Sequence, residues 1–115
     1  MPIPPEIGVL IDQLNQELQQ IEQEAIRGIS QVRPLMSLFP GNAMLIRHFA
    51  YFNNVLLFVE ISKQQIQNAT EAISSSNITE EVIQEIGEDL GELLGQVLEA
   101  KVGVEGIISS LKRLQ

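Results

Sequence analysis

The sequence predicts an all-α fold of three long helices in antiparallel succession, and three observations carry that expectation. Apolar residues recur at alternating steps of four and three along nearly the whole chain, the repeat of helices that pack in a coiled-coil-like manner. Two stretches of turn-forming residues, Pro40-Gly41-Asn42 and Ser74-Ser75-Ser76-Asn77-Ile78, divide that repeat into three parts. Hydrophobic residues make up 44% of the 115 positions and charged residues 19%, which is too apolar for a disordered chain.

The first helix is expected over about residues 5–39. Pro4 and Pro5 suit a helix entrance, where an amide is unpaired anyway and the proline φ is already helical. Its seam reads Ile7, Ile11, Leu14, Leu18, Ile21, Ala25, Gly28, Val32, Leu35 and Phe39, broken only by Gly28, with Gln13, Gln16, Gln20 and Gln23 on the other faces. Pro34 removes one backbone hydrogen bond and crowds the carbonyl of Ser30, at about 3 kcal/mol. Because the repeat keeps its phase across it, a kink near residues 30–34 is predicted, with a short break as the alternative.

Asn42 is placed to cap the second helix, expected over 42–73 with the seam Leu45, Phe49, Phe52, Leu56, Val59, Lys63, Ile66, Thr70 and Ile73. Thr79 caps the third, expected over 79–113. Glu80 and Glu81 stand at the positive end of its dipole, and Lys112 and Arg113 at the negative end. That seam is Ile83, Ile86, Leu90, Leu93, Val97, Ala100, Val104, Ile107, Leu111 and Leu114. Matched lengths and short connections favour an up-down-up bundle forming a single helical domain over 1–115, with an aliphatic core.

Charge and composition remove several function classes. The net charge is −8, and the seven bases are scattered, so there is no cationic cluster for nucleic acid or an acidic membrane. With no cysteine there is no thiol nucleophile, thiolate metal site or disulfide. The amino-terminal residues lack the basic and apolar segments of a signal peptide, which predicts a cytoplasmic protein in which the sequons at Asn68 and Asn77 carry no glycan.

Four features stand out from the repeat. Ala43–Ile61 is apolar beyond its seam, and Phe39, Phe49, Tyr51, Phe52 and Phe58 are all the aromatic residues of the chain. Arg47, His48, Asn53 and Asn54 argue against a membrane span there. Either this helix is central and covered by the other two, or its surplus apolar surface binds a second subunit. The candidate interface is Met44, Phe49, Tyr51, Phe52, Val55 and Phe58, joined by the line Gly87, Gly91 and Gly95, which is either a groove where another helix approaches closely or a set of tolerated surface glycines. Glu81, Glu85, Glu88, Glu92 and Glu99, with Asp89 beside them, form an acidic stripe best read as a solvated face. His48, the only histidine, has no companion that would define a nucleophilic triad, and with Arg47 and Glu60 it is too generic to assign catalytic roles. Asn53-Asn54 either fixes the register of an interface by hydrogen bonding across it or is simply exposed.

The opening Pro2-Ile3-Pro4-Pro5-Glu6-Ile7 and the run from Phe49 to Ile61 resemble a family of short, uncharacterised cyanobacterial helical proteins. The resemblance covers the first half best, brings no catalytic motif, and implies a bacterial cytoplasmic protein. The function expected is therefore a non-enzymatic interaction or structural module that forms a homodimer through helix two. It needs no cofactor or metal and has no nucleic-acid partner. The alternative is a carrier holding an apolar molecule or lipid between helices near Phe49, Phe52 and Phe58.

Overall fold

A computed structural model describes residues 3–75 and 77–114. Met1, Pro2, Ser76 and Gln115 lie outside the described residues, and with them one proline of the amino-terminal motif and one serine of the second turn. Three helices follow one another: α1 (Pro5–Leu38), α2 (Ala43–Ile73) and α3 (Glu80–Arg113). They pack as a bundle measuring 57 × 18 × 16 Å, close to the length of one 34-residue helix at about 1.5 Å per residue.

The helix starts follow the expected chemistry. Pro5 occupies the first turn of α1. The Asn42 side chain accepts from the Leu45 amide at 3.0 Å, and the Thr79 hydroxyl accepts from the Val82 amide at 3.3 Å. Both satisfy a donor that a helix end otherwise leaves open. α1 runs through Pro34 without the break that was the alternative. Pro34 is solvent-exposed, so the carbonyl it deprives of a partner is not sealed in the core, while buried Val32 and half-buried Leu35 hold the helix to the bundle on both sides of it.

The helices are not equivalent, and the central one is α1 rather than α2. α1 packs along both of the others, whereas α2 and α3 meet over much less of their length. The α1 seam is buried as predicted from Ile7 to Val32, but Phe39 is exposed beyond the helix end. In α2 the buried row runs through Val55 and Ser62, displacing Leu56 and Lys63 from the predicted seam. In α3 Ile108 is buried in place of the half-buried Ile107, and Leu114 is exposed. Each shift is one residue. In α2 Val59, Ile66 and Ile73 stay on the predicted seam, so the helix has not drifted out of register; its docking on α1 selects which of two adjacent residues is the second inward position of a heptad.

Gly28 explains the single gap in the α1 seam. The Phe52 ring lies directly on its backbone, and a methyl there would fall 2.6 Å from Phe52 Cε2. The neighbouring aromatic repeats the device on α3: Tyr51 lies over Gly103, where a methyl would stand 3.0 Å from its Cζ. The two rings meet edge-on, with centroids 6.3 Å apart. One step of α2 thus seats an aromatic on a glycine of each neighbouring helix. Two ion pairs also tie the outer helices to α1, Lys63 Nζ to Glu22 Oε2 at 2.6 Å and Lys101 Nζ to Glu17 Oε2 at 3.1 Å. Such partly exposed pairs are worth about 0–1 kcal/mol each, so they set register more than they hold the fold.

Candidate interaction surface

The candidate interface residues separate into three groups. Phe52 and Val55 are buried between the helices of one chain, at 0% and 4% exposure, and therefore cannot form an external contact. This corrects the expectation that placed them at a subunit interface: the one-residue shift of the α2 seam turns Val55 inward, and the absent side chain of Gly28 draws Phe52 in. Phe49, Tyr51 and Phe58 are half-buried against the core, with the Arg33 guanidinium 5.8 Å from the centre of the Phe49 ring. Met44 is exposed at the start of α2. Of the glycines, Gly87 packs near Ile7, whereas Gly91 and Gly95 face open space.

The apolar surplus of α2 lies elsewhere, on residues that a single-seam reading passes over. Ile46, Leu57 and Ile61 are 45%, 60% and 50% exposed, and Ala50 is exposed between them. Ile46 to Leu57 and Ala50 to Ile61 are both steps of eleven residues, three helical turns, so the four side chains form one row along the face opposite the core. The signal was present in the sequence as a second periodic row. Finding it required knowing which row faces inward.

α2 also differs from its neighbours in charge. Arg47 and Lys63 balance Glu60 and Glu71, so the net −8 is carried entirely by α1 and α3. On α3 the exposed row of Gly91, Gly95, Leu98 and Val102 runs beside Glu88, Glu92 and Glu99, all exposed. A second copy of so acidic a chain is repelled there and not at α2. Among the described residues no three His, Asp or Glu side chains come together as metal ligands, and no helix is long and apolar enough to cross a membrane.

The splay of α2 from α3 leaves an open groove. One cleft of about 510 Å³ includes Ala69, Ala72, Ile86 and Leu93 with Asp89 and Glu92. A second, of about 320 Å³, lies against Tyr51, Val55, Phe58, Glu99 and Ala100. Of the three phenylalanines expected to surround an apolar ligand, only Phe58 lines it. Arg47 and Glu60 are exposed and His48 half-buried, and Glu60 stands about 20 Å along α2 from the other two.

Beside the second cleft, partial burial raises the Tyr51 phenol above its ordinary 10.0, with the Glu99 carboxylate adding in the same direction. Hydrogen bonding to Glu22 and Glu17 likewise raises the ammonium groups of Lys63 and Lys101. A group whose pKa is raised by folding contributes stability that is present below its unfolded value and lost as pH climbs through the folded one. The bundle is therefore expected to weaken from about pH 10 upward. Tyr51 is the only tyrosine and there is no tryptophan, so tyrosinate absorbance reports this one group. Its midpoint should lie higher in the folded protein than in urea, and Glu99→Gln should lower the folded midpoint part of the way. Equal midpoints in the two states would show the phenol to be fully solvated.

Comparison with protein families, curated proteins and solved structures finds no match.

Proposed function

We propose that the chain is a cytoplasmic, non-enzymatic helical module that self-associates through the outer face of α2. The observation that carries this is the row Ile46, Ala50, Leu57 and Ile61, exposed on the face opposite the core of the one electrically neutral helix. An amphipathic helix needs one apolar stripe to join a bundle. α2 has a second, and a second copy is the partner whose surface is certain to match it in composition.

The shape of the monomer supports the same reading. A compact protein of 12.8 kDa exposes about 6,300 Å² by the usual size scaling, and this one exposes 7242 Å². Laying a second rod alongside removes part of that excess. The carrier reading draws less support, because the groove between α2 and α3 is open and about half polar, and two of the three phenylalanines are engaged elsewhere.

Light scattering on a size-exclusion column tests the proposal. The protein should run as a dimer at tens of micromolar, and Leu57→Glu should give a monomer of unchanged helicity, since Leu57 takes no part in the core. A wild-type monomer at that concentration would end the self-association reading. A dimer indifferent to Leu57→Glu would move it to another surface.

A further inference from the structure

Resting on the self-association reading, we infer that the two copies of α2 run antiparallel in a register centred between Asn53 and Asn54. Ile46 of each copy then meets Ile61 of the other, and Ala50 meets Leu57.

The spacing of the exposed row points to this arrangement. Ile46, Ala50, Leu57 and Ile61 are separated by four, seven and four residues, a pattern that reads the same from either end. A two-fold axis perpendicular to α2 at the midpoint of the row maps the row of one copy onto that of the other, which an isologous contact requires. The exposed α3 row of Gly91, Gly95, Leu98 and Val102 is also symmetric, at four, three and four residues, but half of it is glycine and it runs beside Glu88, Glu92 and Glu99, so it offers less apolar surface and repels a second copy. On α1 the exposed Val9 and Ile26 stand 17 residues apart and form no continuous row.

Side-chain size selects antiparallel over parallel. In the antiparallel register each Ala50 faces a Leu57, so both inner layers pair one small with one large residue and fill evenly. In a parallel pair Ala50 faces Ala50 and leaves a gap, while Leu57 faces Leu57. Antiparallel helices also oppose their dipoles. At the centre stand Asn53 and Asn54, both exposed. The Asn53 amide donates to the Phe49 carbonyl at 3.0 Å, which leaves its Oδ1 as an acceptor for the other copy. A polar pair at the axis penalises any slipped register, where the amides would be covered by apolar side chains. Neither edge of the row brings like charges together: Arg47, Asn54 and Gln65 lie on one side, and Asn53, Glu60 and Gln64 on the other.

The register also fixes the shape of the dimer. Its axis lies between residues 53 and 54, whereas the middle of α2 is Phe58, so the two rods are staggered by about 13 Å at 1.5 Å per residue.

The absence of cysteine makes the test direct. Ala50→Cys and Leu57→Cys are prepared as separate proteins, and each is oxidised alone and then as an equimolar mixture. Both sites are exposed, and unchanged circular dichroism checks the fold. The expected result is abundant mixed disulfide between the two variants and little disulfide in either alone. Efficient crosslinking of each variant with itself would overturn the antiparallel register while leaving self-association intact. No crosslinking at concentrations where light scattering shows a dimer would place the interface elsewhere. Solution scattering of the wild-type dimer gives an independent reading. Its longest dimension should exceed that of the Leu57→Glu monomer by about the stagger, and a dimer no longer than the monomer overturns the register.

Discussion

Replacing Phe52 with alanine is expected to lower the stability of the bundle by about 3–5 kcal/mol, read as the free energy of urea unfolding at fixed protein concentration. The ring is fully buried and lies where α1 has no side chain of its own, so its removal leaves a cavity bounded by helix backbone. Backbone relaxes into a void less readily than side chains do, which places this site toward the upper part of the range. Against a total of about 5–15 kcal/mol for a domain of ordinary stability, the loss is large. Gly28→Ala attacks the same contact from the other side. Its methyl cannot coexist with the ring in place, and overpacking of this kind costs about 1–3 kcal/mol. The two positions should be strongly coupled. Gly28→Ala combined with Phe52→Leu should cost less than the sum of the single changes, because the smaller side chain vacates the space the methyl needs. Additive effects would mean that the ring and the glycine are not in direct contact.

The Gly28–Phe52 seat also marks where sequence reading reached its limit. Periodicity placed all three helices to within about a residue at each end, because the capping groups of Asn42 and Thr79 and the prolines at residues 4 and 5 act locally and can be read locally. It placed the α1 seam almost without error, since a helix packed on two sides has its inward face set by both neighbours. It missed single inward positions of α2 and α3. Val55 and Leu56, or Ile107 and Ile108, are equally apolar, and only the docking of one helix on another decides between them. For the same reason a break in an apolar seam and a seat for an aromatic ring look alike until the partner helix is in place. The candidate interface suffered most. An apolar surplus on α2 was legible, yet its residues could not be divided between core and surface without knowing that α1, not α2, is the central helix. Phe52 and Val55 went inward, and Ile46, Ala50, Leu57 and Ile61 remained outside.

Gly91→Ala and Gly95→Ala are expected to act in the opposite sense to Gly28→Ala, each raising stability by about 1 kcal/mol and the pair by about 2. Both glycines lie inside α3, where their backbone freedom is lost on folding, and a methyl at either meets nothing within 4 Å. If the glycine line were a groove for a second helix, the added methyls would hold that helix off, and dimerisation would weaken as the monomer strengthened. Measuring unfolding and light scattering on the same double variant separates these outcomes. Higher stability with an unchanged dimer fits self-association through α2, and higher stability with a lost dimer would transfer the interface to α3. The chemical change is identical at residues 28, 91 and 95, a hydrogen replaced by a methyl in the middle of a helix. Its sign depends on what stands opposite: the Phe52 ring in one case, and in the other two the exposed, acidic face of α3, which is the side of the bundle that charge leaves least suited to a second copy.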